Sequence, residues 1–325
     1  FLLVLGSTAV IFLRRRRVTR ILLWLGLVWL VISALRQNPH HLAYFNEAVG
    51  GTAEGYRYLG DSNLDWGQDL NLLVQTIEAK GGMWRVSYYG LNDPAYYGLA
   101  NEALIDLKQA AETFAAANPP PGQYAISANH LHGQIPDGDL FDWFRRRSPA
   151  YDLGGSILVY EVEQPAVGAW AAQCLDPAPL LNVEEAEVLL GTADLRHIVF
   201  DCRQAVVLAE DGTPGWLIMP QADNWWFQEL LSAGEEGLQL VYRHDAVKGT
   251  PSYDVYYWPG MDGSSLSEGW RKTAETEEGT AVSLPEAVNP TARLAGYQFD
   301  GEQWAVLWSV TAPAVEPLSL QAHLY

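Results

Sequence analysis

The chain of 325 residues carries 20 Lys and Arg against 39 Asp and Glu, a formal net charge of −19. Six arginines fall in the first thirty-six residues, so the remainder holds 14 basic against 39 acidic groups, a net −25. That balance excludes a phosphate-backbone binder, hence nucleic acid as a partner, and it argues against a domain lying flat on anionic lipid.

Phe1 to Leu13 is an apolar run; Arg14, Arg15, Arg16, Arg17 and Arg20 follow; Ile21 to Leu35 is apolar again and ends on Arg36. No acidic residue precedes Glu47. The pattern predicts a transmembrane α-helical hairpin over residues 1–36, the end of a multi-pass region with its arginine-rich turn on the cytoplasmic side, because Lys and Arg in short loops resist translocation. Everything after Arg36 is then expected outside the cytoplasm, with the protein in the plasma membrane and the lipid bilayer as a partner. A signal peptide is the competing reading. The apolar run ahead of the arginines and the lack of an A-x-A site after Leu35 weigh against it. The start at Phe1 and the stop at Tyr325 within a strand-like run suggest an internal piece of a longer membrane protein.

Residues 37–163 alternate between helical and strand-like patterns, which predicts an extracytoplasmic α/β domain. Trp66, Leu70, Leu73, Val74 and Ile77 share one face of a helix, opened by Asp65 and Gln68 as a capping box and closed at Lys80-Gly81. Strands are expected at Trp84–Gly90, Gln123–Ala128 and Ser156–Val162. Helices are expected at Ala103–Ala117, which is alanine-rich and stopped by three prolines, and at Asp139–Arg147. Residues 164–325 open on a Pro- and Ala-rich stretch. They continue as short β-rich runs (RHIVFDC, AVVLAE, GWLIMP, LQLVYRHD, SYDVYYWP, EQWAVLWSV, LSLQAHL) separated by Asp-Gly turns, the spacing of a truncated β-sandwich-like domain. The fold class expected is thus a membrane α-helical hairpin followed by an α/β domain and an all-β sandwich-like domain. In an exported segment Cys174 and Cys202 are expected to pair as a disulfide; two buried free thiols are the alternative.

Polar information is densest in NEAVGGTAEGYRYLGDSNLDWGQDL, from Asn46 to Leu70, where Asp61, Asn63, Asp65, Gln68 and Asp69 crowd a helix start. Helix capping accounts for such a cluster. Asp61, Asn63 and Asp65 also imitate the first half of a calcium loop, but the pattern fails at Gly67 and Leu72. The same Asp, Asn and Gln side chains could hold sugar hydroxyls with Trp66 stacking, although the periodicity puts Trp66 on the core face. Asp61 and Asp65 could serve as a glycosidase pair.

The stretches NPHHLAYFNEAVGG, GYRYLGDSNLDWGQDLNLL, YYGLNDPAYYG, GQYAIS and GGSILVY, in that order between Gln37 and Glu161, resemble the C-terminal region of bacterial membrane glycosyltransferases of family 39. These GT-C enzymes are relatives of protein O-mannosyltransferases and of lipid-carrier-dependent sugar transferases. LAGYQFDGEQWAVLWSV and LSLQAHLY resemble the β-sandwich appended to some of them. The resemblance implies transfer of a sugar from a polyprenyl-phosphate donor to an exported glycan or protein acceptor, with the catalytic acidic residues upstream of this chain. No catalytic residue is therefore assigned here, and no cofactor is identified. Asp61, Asn63, Asp65, Gln68 and Arg57 are the candidate substrate-binding residues. Arg36, His40, His41 and Arg57 are candidates for the donor phosphate.

His130 and His132 could hold a metal if they shared a strand face, with a polar loop as the alternative. Ser127 and Ser156 sit in no G-x-S-x-G elbow. Trp225-Trp226 and Tyr256-Tyr257-Trp258 could form a sugar platform. The alternatives to a transferase are a membrane-anchored carbohydrate-binding module and an exported glycoside hydrolase.

Overall fold

The computed structural model describes residues 17–60, 64–97, 104–106, 113–132, 139–175, 178–203, 206–209, 212–221, 237–246, 251–260, 273–275, 281–283, 292–299 and 304–310, with backbone alone for 104–106 and from 273 onward. They fall into two units, one of residues 17–112 and 121–163 and the other of 113–120 together with 164 onward.

The hairpin is not seen. Phe1 to Arg16 lie outside the described residues, and the second limb forms helix α1, Arg17–Arg36. Among the described residues no helix is long and apolar enough to cross a membrane. The physical reason is the placement of charge. Arg20 and Arg36 bound an uninterrupted apolar stretch, Ile21 to Leu35, of only about 22 Å at about 1.5 Å per residue, against about 30 Å of hydrocarbon. The last turns of α1 are tied to the following segment by the Ser33 hydroxyl, which donates to Glu47 at 2.6 Å.

In the first unit, a single turn α2 (Thr52–Gly55) precedes α3 (Leu70–Lys80). The sheet then follows with β1 (Trp84–Ser87), β2 (Leu104–Asp106), β3 (Gly122–Ser127), β4 (Tyr151–Leu153) and β5 (Ile157–Val162). Two short helices, α4 (Ala128–Leu131) and α5 (Asp142–Arg145), lie between β3 and β4. The strand order is β2-β1-β3-β5-β4. The first three strands are parallel, and β4–β5 is an antiparallel hairpin added beside β3.

Leu70, Leu73, Val74 and Ile77 fall at the helical spacing the sequence predicts, and α3 buries them on Trp84, Val86, Ala125, Ile157 and Val159. Each such side chain contributes about 1.5–3 kcal/mol of apolar burial. The opposite face of the sheet packs Tyr124 and Tyr160 against Phe144 of α5, with ring centroids 4.9 and 5.1 Å apart. The unit is therefore a sheet with helices on both faces.

Among the described residues, the alanine-rich run expected as a helix over 103–117 is not helical; 107–112 lie outside them. Leu104–Asp106 is strand β2, and residues 113–120 are irregular and belong to the second unit. There Ala117 N donates to Leu189 O at 3.1 Å, and Asn118 clamps the backbone by donating to Ala166 O and Leu190 O, each at 3.0 Å. Buried, small alanines permit that close approach; helix propensity is a weak prior that such packing overrides.

The second unit is not a β-sandwich. Strands β6 (Trp170–Cys174), β7 (Arg196–Phe200), β8 (Gly215–Pro220), β9 (Gln239–His244) and β10 (Tyr253–Trp258) form one mixed sheet in the order β7-β6-β8-β10-β9. The crossover from β6 to β7 runs through helix α6, Val183–Leu190. Its capping box is complete: Asn182 Oδ1 accepts from Glu185 N at 2.9 Å, and Glu185 Oε2 accepts from Asn182 N at 2.8 Å. A parallel pair needs such a crossover, whereas a sandwich is built from antiparallel hairpins. Two further pairs of strands are antiparallel: β11 (Thr273–Glu275) with β12 (Ala281–Ser283), and β13 (Ala292–Phe299) with β14 (Trp304–Val310).

The two five-stranded sheets follow one plan. Order and strand directions correspond strand for strand, with β6, β7 and β8 parallel and β9–β10 an antiparallel hairpin beside β8. Even the closing hydrogen bond recurs. Ala128 N donates to Ser156 O at 2.8 Å beyond β3, and Gln221 N donates to Ser252 O at 3.4 Å beyond β8.

Cys174, at the end of β6, and Cys202, just past β7, form a disulfide with Cα atoms 5.1 Å apart. It spans 28 residues of sequence, a closure worth about 3–4 kcal/mol in the chain-entropy model. The double variant Cys174→Ser, Cys202→Ser is expected to lose that much stability in urea unfolding followed in the second unit; an unchanged midpoint would contradict the assignment of α6 and β7 to one cross-linked loop.

Candidate functional site

The polar residues of the first unit converge on one edge of its sheet, outside the carboxyl ends of the parallel strands. Ligands bind there in open α/β sheets. Ser87 ends β1, Ser127 ends β3, and Ser156 immediately precedes β5. Registers Ser87↔Ile126 and Ser127↔Ile157 set these serines side by side along the edge. All three are fully buried, and each holds a partner from another segment. Ser87 Oγ lies 2.8 Å from His130 Nδ1, the Ser127 hydroxyl donates to Asp65 Oδ2, and the Ser156 hydroxyl donates to Asp69 Oδ2 at 2.6 Å.

Asp65 is 1% exposed. Its other oxygen accepts from Gly67 N at 2.7 Å, and its backbone carbonyl accepts from the Asn129 amide at 2.8 Å. Burial raises its carboxyl to about 6, while the Ser127 hydroxyl and the Gly67 N–H hold it down and the nearby Asp69 charge adds to the rise. Beside it, Tyr88 donates to Gly67 O at 3.0 Å, and burial, with the Asp65 charge second, pushes its phenol to about 12. Gly67 has φ 79°, and a Cβ there would overlap the Tyr88 hydroxyl.

Asp69 occupies the N-cap position of α3 yet makes no capping bond, because both oxygens are engaged elsewhere. Oδ2 takes Ser156 and Oδ1 lies 2.7 Å from His40 Nδ1. The approach of His40 depends on Gly154 in the β4–β5 turn. Its φ is 65°, and a Cβ would overlap both Asp69 Oδ2 and His40 Nδ1.

Trp66 corrects the periodicity. Helix α3 starts at Leu70, so Trp66 lies ahead of it and is 57% exposed. Its ring meets Tyr89 edge-on, centroids 6.5 Å apart at 65°, and Tyr89 in turn lies 5.5 Å from the ring of buried His130. The inward carboxylate of Asp65 and the inward Ser127 thus leave Trp66 facing out. Gln68 braces the same loop, accepting from Trp66 N at 2.8 Å and donating to Leu64 O at 3.0 Å.

Of the sequence-predicted residues, Asp65 and Gln68 lie in this cluster, and Asp61 and Asn63 lie outside the described residues. Arg57 has a different setting: it pairs with Glu54 at 2.6 Å and lies over the Tyr56 ring. Among the phosphate candidates, His40 is in the cluster. His130 and His132 belong to a helical turn and its end, not to a strand, and among the described residues no three His, Cys, Asp or Glu could hold a metal ion. Tyr256 and Trp258 are 4% and 0% exposed in the core of the second unit, so strand alternation removes them from any platform; Trp225 and Trp226 lie outside the described residues. Sequence reasoning weighed Ser127 and Ser156 only as nucleophiles and missed Ser87 and Asn129. The available signal was a serine at one end of each apolar strand, in WRVS, YAIS and GGSILVY.

Two outcomes follow. With its carboxyl above the ordinary 3.8, folded Asp65 keeps a proton that the unfolded chain releases, so stability declines as pH rises from about 4 to about 6. The decline is about 3 kcal/mol. Asp65→Asn is expected to remove it, so the stability difference between variant and wild type should shift by that amount in the variant's favour between pH 4 and pH 7; a pH-independent difference refutes the assignment. Gly154→Ala is expected to cost about 1–3 kcal/mol. It should also free the His40 ring, read as a changed imidazole chemical shift.

No family model, curated protein or solved structure matches the chain.

Proposed function

We propose that the first unit is a carbohydrate-recognition module serving a transferase that moves a sugar from a polyprenyl-phosphate donor to an exported acceptor. The observation that carries the reading is Trp66. A large aromatic ring, exposed and braced edge-on by Tyr89, stands at a strand edge rich in buried, hydrogen-bonded polar groups. Apolar sugar faces stack on such rings, and the buried polar network fixes the loop that displays this one. The transferase context rests on the order of the motifs from Asn38 to Tyr160. The Cys174–Cys202 disulfide supports an oxidising, extracytoplasmic setting.

A glycoside hydrolase is less well supported. Asp65 is shut away from solvent with both oxygens occupied, and Asp69 is 4% exposed and likewise engaged at both oxygens. Neither can reach a glycosidic oxygen without dismantling the edge.

The test is binding of the full chain to immobilised oligosaccharides and to methyl mannoside, methyl glucoside and methyl galactoside, measured by calorimetry. Trp66→Ala is expected to weaken the best of these about tenfold or more, with stability unchanged because the ring is exposed, and Tyr89→Phe is expected to be mild. Binding that ignores Trp66→Ala, or no carbohydrate binding at all, contradicts the reading.

A further inference from the structure

We propose that His40 forms a second subsite on this edge, its Nε2 accepting a hydrogen bond from a hydroxyl of the second ring of a disaccharide whose first ring stacks on Trp66; the inference rests on the carbohydrate reading above. His40 is held at two points. Its carbonyl accepts from the Gln37 amide at 2.8 Å, and Gln37 is fixed by the Thr52 hydroxyl at 2.5 Å. Its Nδ1 lies 2.7 Å from Asp69 Oδ1. Asp69 is buried, the Ser156 hydroxyl takes its Oδ2, and its Oδ1 is turned to the imidazole.

A carboxylate accepts and cannot donate, so the ring proton of neutral His40 sits on Nδ1 and the lone pair on Nε2. The same carboxylate–imidazole pairing fixes tautomer and ring orientation in histidines that present Nε2 to a ligand. His40 is 29% exposed, which leaves that nitrogen within reach of solvent, and the absence of a side chain at Gly154 is what admits the ring to Asp69.

The edge itself sets the ligand size. The Trp66–Tyr89–His130 chain ends on Ser87 of β1, whereas the His40–Asp69 pair ends on Ser156 before β5. Trp66 and the His40 partner Asp69 lie on one loop, tied to the adjoining strands β3 and β5 through Asp65–Ser127 and Asp69–Ser156. Asp69 follows Trp66 by three residues, a backbone span of at most about 11 Å, within the reach of two linked pyranose rings.

The experiment has two arms on the full chain. Nitrogen-15 NMR of the imidazole, without ligand, is expected to show the Nδ1–H tautomer for His40 and its loss in Asp69→Asn; an Nε2–H tautomer overturns the proposal. Calorimetry with mannobiose, cellobiose and lactose, set against the methyl glycosides, reads the contact. His40→Ala is expected to weaken the disaccharide about tenfold and leave the single-ring glycoside unchanged, which also shows that the variant is folded. His40→Gln, which keeps an acceptor near the Nε2 position, is expected to restore part of the loss. Disaccharide affinity indifferent to His40→Ala, while the glycosides still respond to Trp66→Ala, sinks this subsite alone; absence of all sugar binding sinks both readings.

Discussion

Two carboxylates buried at a sheet edge organise the first unit. An ionised or polar group taken out of water costs several kcal/mol unless its hydrogen-bonding capacity is met. Asp65 and Asp69 meet that demand largely through contacts from distant parts of the chain: Ser127 for one, beside the local Gly67 N–H, and Ser156 and His40 for the other. Those bonds fix the loop ahead of α3, bring residues 37–52 onto the β4–β5 turn, and decide which side chains face out. Trp66 is displayed because its neighbour Asp65 is turned in. His40 is oriented by its Nδ1, held 2.7 Å from Asp69 Oδ1.

Glycine makes this approach sterically feasible. Gly67 at φ 79° passes beneath Tyr88, and Gly154 and Gly155 at φ 65° and 80° allow Asp69, His40 and Thr52 to close on the turn. In each case a Cβ would occupy space already filled by a polar side chain or a methyl group. The glycines serve the site as much as the turns.

Much of the first unit was legible because its apolar spacing is regular. Leu70, Leu73, Val74 and Ile77 announce α3, and the β-branched and aromatic runs announce β1, β3 and β5. Trp66 was misplaced because it falls on the same spacing one turn early, and spacing alone does not report where a helix begins; the Asp65 carboxylate is spent on Ser127, not on a cap. The alanine-rich run failed for the converse reason, since its small residues are used for contact with α6. In the second unit the β-rich vocabulary was visible, while the parallel crossover was not. WAAQC is buried on both faces and shows no alternation, and the Asn182–Glu185 capping box was hidden in a proline-rich stretch. The site serines were illegible singly, since a serine at a strand end acquires meaning only from the strands beside it.

The two sheets share a plan and differ in what they place at the corresponding edge. Beyond β1 and β3 stand Ser87, Ser127 and the carboxylates. Beyond β6 and β8 stand the Cys174–Cys202 bridge and Gln221, whose amide donates to His244 O at 2.9 Å. One scaffold therefore carries a polar cluster in one copy and a covalent cross-link in the other. The central claim is that Asp65 pins the 65–69 loop from inside. Site-resolved native-state hydrogen exchange at the Gly67 amide, which donates to Asp65 Oδ1, tests it most directly. The account predicts protection approaching that of the Val86 amide in β1; exchange at the rate of an open loop would contradict it.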